Sequence, residues 1–217
     1  MNDDIIGYIL SFLSKKKIGK CLIICKKWKH IIEIYSWMFE LDFFNMNIKD
    51  SSLKYFKNAK NINLAYCDQI TNIGLEYLKG VHTINLKKCD KITDAGLKYL
   101  QGVHTIDLTG CYQITDVGLQ YLKGIHTINL WNCDKITDAG LIYLQGVHTI
   151  DLSNCNKITD NGLRYLKGIH AIDLSNCNQI TNIGLEYLKG VNNIYLRGCH
   201  KITDIGLEHL KGSIIYR

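Results

Sequence analysis

The chain has 217 residues, 47% hydrophobic and 21% charged, with nine Cys and no Pro. This is the composition of a globular protein with a substantial core, and its longest apolar run, Cys21 to Cys25, is far short of the ~18 residues that a membrane helix needs. The net charge is +6, most of it carried by ten Lys against six acids in residues 1–58, so the rest of the chain is nearly balanced and does not read as a phosphate-binding surface.

The opening Met1-Asn2-Asp3-Asp4 is acidic where a secretion signal is basic. An odd number of Cys without such a signal points to free thiols in a reducing compartment, the cytosol or nucleus. In residues 1–40, Ile5, Ile6, Ile9, Leu10, Phe12 and Leu13 have helical spacing, Ser14 to Lys17 interrupt it, and Ile18, Leu22, Ile23 and Cys25 resume it towards Trp28, Ile31 and Ile32. Two or three short helices of this length bury little surface alone, so they are expected to dock on a partner or on the adjoining part of the chain. Residues 41–58 form a degenerate half unit, with Leu41 and Phe43 as strand and Ile48, Leu53 and Phe56 behind it.

From residue 59 the chain repeats. Cys67, Cys89, Cys111, Cys133, Cys155, Cys177 and Cys199 fall 22 residues apart and define seven units over 59–212. Apolar residues recur at positions 1, 4, 6, 12, 17 and 20 of each unit, as in Val81, Ile84, Leu86, Ile92, Leu97 and Leu100. Positions 4 and 6 alternate with polar 3, 5 and 7, as in a short strand with one buried face. Positions 17 and 20 have helical spacing, preceded by a Thr-Asp or Thr-Asn cap and followed by Gly at position 22 as a stop. A 22-residue unit cannot bury its own apolar face, but stacked copies share one core between a parallel sheet and a row of helices. Residues 213–217 begin another strand and offer no obvious polar cap, which leaves the sheet edge a liability.

Three rows repeat without carrying chemistry. The Cys row reads as buried small residues donating weakly to carbonyls, since zinc sites use paired ligands at short spacing. The row His82, His104, His126, His148 and His170 at position 2 reads as a solvated ladder; if it senses pH, mutual repulsion should depress protonation. Tyr at position 19, from Tyr77 to Tyr187, packs on the outer face. The informative positions are those where the copies diverge. Positions 3, 5 and 7 face the concave side and positions 8 and 10 its rim. Trp131, Tyr66, Tyr112, Lys87, Lys88 and Arg197 are therefore candidate partner contacts, and Asp107, Asp151 and Asp173 form a negative stripe suited to a basic segment of the partner. There is no GK[ST] phosphate loop, GxGxxG, GxSxG or HExxH; neither catalytic residue, cofactor nor metal is assigned, and neither nucleic acid nor membrane is an expected partner.

The repeat pattern LxxLxLxxCxxITxxGLxxL resembles the Cys-containing class of leucine-rich repeats. The resemblance implies an α/β solenoid, with a parallel sheet on the concave face and short helices on the convex one. Asp3-Asp4-Ile5-Ile6-Gly7-Tyr8-Ile9-Leu10-Ser11-Phe12-Leu13-Ser14, then Cys21 to Trp28 and a distal Trp37, resemble the F-box, a small all-α domain. Where that family opens on Leu-Pro, this chain has Met1-Asn2. The resemblance implies a substrate receptor of a Skp/cullin/F-box ubiquitin ligase, with Ile5, Ile9, Leu13, Leu22, Ile24, Cys25 and Trp28 supplying adaptor contacts or domain core. The alternative is a repeat scaffold or decoy with a degenerate F-box. High Ile, Lys and Asn with no Pro suggest an AT-rich genome, as in slime moulds or giant viruses of amoebae; in a viral case the adaptor and ligase would be the host's.

Overall fold

The computed structural model describes residues 33, 34, 36–38 and 40–217. Nine three-residue strands form one parallel sheet in chain order: β1 Glu40–Asp42, β2 Asn61–Asn63, β3 Thr83–Asn85, β4 Thr105–Asp107, β5 Thr127–Asn129, β6 Thr149–Asp151, β7 Ala171–Asp173, β8 Asn193–Tyr195 and β9 Ile214–Tyr216. Strand pairing from β2 to β8 keeps the 22-residue register, so Ile62, Ile84, Ile106, Ile128, Ile150, Ile172 and Ile194 lie side by side. Their side chains point inward with Leu at position 6 and Cys at position 9, and all are buried. Each fully buried Leu or Ile contributes roughly 1.5–3 kcal/mol relative to an exposed one. Among the described residues no helix is long and apolar enough to cross a membrane.

The predicted helix is a composite in every unit but the sixth, where Asn182–Glu186 is α-helical throughout and no 3-10 turn follows. Four residues are α-helical, as in Asp116–Leu119, and the next three tighten into a 3-10 turn, as in Gln120–Leu122. Gly at position 22 then takes φ near +80°, from Gly80 to Gly190, a conformation that costs glycine nothing and turns the chain back toward the next strand.

What holds one repeat to the next is a clamp on the helix side. The Asp116 carboxylate accepts the backbone N–H of Thr137 at 2.8 Å and its hydroxyl at 2.6 Å. Asp50, Asp94, Asp138 and Asp160 hold Thr71, Thr115, Thr159 and Thr181 in the same way. Because these hydroxyls donate to a carboxylate, their lone pairs accept the N–H two residues on and cap their own helices. Asn72 and Asn182 stand in this row and donate their amide N–H to the hydroxyls of Thr93 and Thr203; those two Thr make no side-chain cap bond. The clamp needs space: a Cβ on Gly118 would sit 2.4 Å from Asp94 Oδ1 and 3.0 Å from Leu97 Cδ1.

The ends depart from the pattern. At the first, Phe43 and Phe56 pack with ring centroids 4.9 Å apart and, with Leu53, close the core. At the last, β9 pairs one residue early, so Ile194 faces Ile215. In the sequence Ser-Ile-Ile-Tyr-Arg this slip turns Ile215 toward the core and Tyr216 onto the concave face. Arg217 supplies polar contacts not expected there, to the Ile202 carbonyl and the Asp204 carboxylate, each at 3.2 Å.

Candidate interaction surface

The surface begins where each strand leaves the sheet. At position 5 an Asn or Asp side-chain oxygen accepts the backbone N–H two residues on: Asn63 from Ala65, Asn85 from Lys87, Asp107 from Thr109, Asn129 from Trp131, Asp151 from Ser153 and Asp173 from Ser175, at 2.7–3.0 Å. This turn lifts position 7 off the sheet. It also buries Ala65, Thr109 and Ser153, so position 7 is not uniformly the open face that strand alternation predicts. Lys87 is half-buried there, and Trp131 and Arg197 are exposed.

Position 8 corrects a second expectation. Its variation is dictated in large part by the backbone, because every copy has φ between 58° and 74°. Asn132, Asn154, Asn176, Gly110 and Gly198 suit that left-handed conformation. Tyr66 at φ 60° and Lys88 at φ 58° do not, and each costs on the order of 1 kcal/mol. These two adjacent repeats thus hold large side chains on the rim against the preference of their backbone.

Both belong to a ridge of rings and ammonium groups. Lys88 Nζ lies 4.2 Å from the Tyr112 ring centroid and donates to the Tyr112 hydroxyl, which also accepts from Asn132 Nδ2 at 3.0 Å. The bond to Tyr112 pushes the Lys88 pKa up. Lys87 Nζ lies 5.2 Å from the Trp131 ring, and Tyr66 meets Phe44 edge-on at 5.4 Å. Phe44 was not read from the sequence, although it occupies position 7 of the half unit. Arg197 stands apart, three strands from Trp131, or roughly 14 Å at ~4.8 Å per strand. Two further exposed aromatics also escaped the sequence reading: Tyr195 and Tyr216 stack at 4.2 Å on the concave face, beside Asp173.

Asp107, Asp151 and Asp173 line the floor half-buried. Burial pushes the Asp151 carboxyl above its ordinary range, with Asp173 adding to the effect. Among the described residues no salt bridge pairs any of the three.

The repeated rows take definite geometry. From Cys67 to Cys199 each thiol donates to a main-chain carbonyl of the repeat before at 3.0–3.2 Å. Burial pushes Cys89, Cys111 and Cys155 up to about 12, which makes these thiols inert. The five His rings stack at 4.4–4.5 Å. Loss of hydration within the stack, then the charges of His104 and His148, lower the pKa of His126. Among the described residues no group of three or more His, Cys, Asp or Glu is placed to hold a metal ion. Ile5, Ile9, Leu13, Leu22, Ile24, Cys25 and Trp28 lie outside the described residues.

Among solved structures, the chain is similar to one in the complex of Rad7 and Elc1 in yeast, at 15% identity and TM-score 0.58 over 86% of this chain and 64% of that one. It is also similar to internalin C2 of Listeria monocytogenes, at 24% identity and TM-score 0.54 over 77% and 73% of the two chains, and to internalin F of the same organism, at 21% and 0.58 over 85% and 62%. The chain thus spans less than two thirds of the length of the first of these. A comparison with curated proteins finds no match. Residues 147–167 match the family model for the Leucine Rich repeat, and the fold is a leucine-rich-repeat solenoid. Residues 1–37 match the model for the F-box domain, so the chain joins an F-box to leucine-rich repeats.

Proposed function

We propose that the chain is a substrate receptor without catalysis of its own. Residues 1–37 recruit a Skp-type adaptor and through it a cullin-based ubiquitin ligase, and the concave side of the solenoid holds the protein to be modified. The observation that carries this reading is the F-box match at 1–37 in one chain with a sheet face and rim that, among the described residues, no element covers. The exposed Trp131 and Tyr112, each with a Lys over its ring, supply the aromatic anchors on which protein interfaces depend. That one structural neighbour comes from a complex of Rad7 with Elc1 accords with a protein partner for a solenoid of this shape.

The test is capture of a purified Skp-type adaptor by the intact chain and by a Leu13→Ala, Trp28→Ala variant, with thermal melts of both. Binding by the intact chain is expected, with a loss of at least about tenfold in the variant, since hot-spot truncations cost roughly 2 kcal/mol or more. A natively melting intact chain that ignores the adaptor overturns the ligase reading and leaves a repeat scaffold.

A further inference from the structure

The concave floor carries charge that the fold does not need. Outward-facing strand positions hold Glu40, Asp42, Asp107, Asp151 and Asp173 and, among the described residues, not one Lys, Arg or His, in a chain whose net charge is +6. The turns after β2 to β7 ask of position 5 an acceptor for the N–H two residues on, and at Asp151 that oxygen also accepts the Ser153 hydroxyl at 2.5 Å. Asn63, Asn85 and Asn129 meet that demand with an amide oxygen, so the negative charge at Asp107, Asp151 and Asp173 is surplus to the turn. At Asp151 it opposes folding, because burial disfavours the ionised form.

The same stretch of floor has a shape. Asp151 and Asp173 border a shallow cleft of about 230 Å³ that reaches from β5 to the ring of Tyr195. Tyr195 is 39% exposed and stacks within 8° of parallel on Tyr216, forming a flat aromatic wall. Carboxylates without cationic partners beside such a wall match a planar guanidinium, which pairs with two carboxylate oxygens and stacks on rings. Nucleic acid is disfavoured, since its phosphates would meet the like charges of Asp107, Asp151 and Asp173.

We propose that the floor from β4 to β8 binds an extended arginine-rich segment of the partner protein, with guanidinium groups on Asp107, Asp151 and Asp173 and one stacked on Tyr195. From Asp107 to Asp173 is three strand spacings, roughly 14 Å, which about four extended residues at ~3.3 Å each would span. The inference rests on the reading that the concave side holds the partner, and it names the chemistry of that partner.

The experiment titrates the full chain against labelled hexa-arginine, hexalysine and hexaglutamate peptides by fluorescence anisotropy, at about 50 and about 200 mM salt. Hexa-arginine is expected to bind, hexalysine several-fold more weakly, and hexaglutamate not at all. The variant Asp107→Asn, Asp151→Asn, Asp173→Asn keeps every turn acceptor, so it should melt as the parent does and bind hexa-arginine about tenfold more weakly. The variant Asp68→Asn, Asp90→Asn, Asp134→Asn removes as much charge from the rim and should bind within about twofold of the parent. The inference is overturned if the natively folded parent ignores hexa-arginine, if the floor variant binds unchanged, or if the rim variant loses as much. A chain that captures the adaptor yet ignores hexa-arginine sinks this inference alone, whereas failure to capture the adaptor sinks the ligase reading and leaves the peptide result intact.

Discussion

At position 14 the carboxylates of Asp94, Asp116, Asp138 and Asp160 each reach the following repeat, whereas at position 5 those of Asp107, Asp151 and Asp173 accept an amide within their own repeat. Both rows hold Asp in some copies and Asn in others, and the exchange has different consequences. In the helix-side row, Asn72 and Asn182 reverse the bond to the next Thr hydroxyl, and Thr93 and Thr203 lose their helix caps. In the concave row, Asn and Asp leave the turn the same. One row spends its charge on joining repeats; the other leaves it facing the groove.

The most damaging way to break the helix-side row is to crowd it. Gly118→Ala places a methyl against Asp94 Oδ1 and Leu97 Cδ1, and should cost about 2–3 kcal/mol in denaturant unfolding through overpacking and a displaced clamp. Asp116→Asn removes the acceptor for the Thr137 hydroxyl and with it the cap at Ala139. It should cost about 1 kcal/mol, and Asn72→Asp should restore the Thr93 cap and gain up to about 1 kcal/mol. Equal melts for Asp116→Asn and the parent would erase the distinction between the rows.

Asp151→Asn, in the concave row, should stay within about 0.5 kcal/mol of the parent at neutral pH. The direction of the small difference comes from linkage. The folded state raises the Asp151 pKa, so its contribution to stability is fullest below the ordinary carboxylate range and is lost as pH rises through the raised value. The Asn variant escapes that loss and should be the more stable of the two at neutral pH, with the advantage gone in strong acid. A clear destabilisation at neutral pH would mean that the charge is structural.

The solenoid was legible in the sequence because its core positions obey one period. Cys at position 9, Ile at 4 and Leu at 6 recur with the register that the sheet adopts. Gly at position 22 was readable as a helix stop because a positive φ is a local demand. The clamp was not readable, since Asp116 and Thr137 are 21 residues apart and each had a sufficient local reading as part of a helix cap. Position 8 misled because variation looks like freedom until the backbone shows that Asn and Gly are answers to one left-handed turn. The slipped last strand escaped for a related reason: Ile214, Ile215 and Tyr216 are all apolar, so the pattern alone did not choose which faces the core. In the candidate site, Trp131 and the three Asp stood out by position, whereas the pairing of Lys88 with Tyr112 across a repeat depends on side-chain reach that spacing does not encode.

The His row gives the smallest effect and extends the comparison to a case where stacking opposes its neighbours. Repetition at position 14 sets an acceptor beside a donor; repetition at position 2 sets a base beside a base. His104, His126 and His148 are exposed and stacked, each with a Thr hydroxyl near Nδ1 at 3.1–3.2 Å, and Lys60 holds the same position in the first unit. The lowered pKa of His126 arises from the stack's reduced hydration and from its two His neighbours. The folded state therefore holds a proton less readily than the unfolded chain, so stability is complete above the ordinary His range and is lost as pH falls through it. Melting temperatures from about pH 8 down to about pH 5.5 should fall for the parent and fall less for His126→Asn, a change the fold admits because Asn192 occupies the position in the seventh unit. Ring proton titration separates this from the acid response of carboxylates: His126 should take up its proton below the ordinary His range. Equal pH slopes for the two chains, or a His126 that titrates at its ordinary value, would show that the stacked rings do not feel one another.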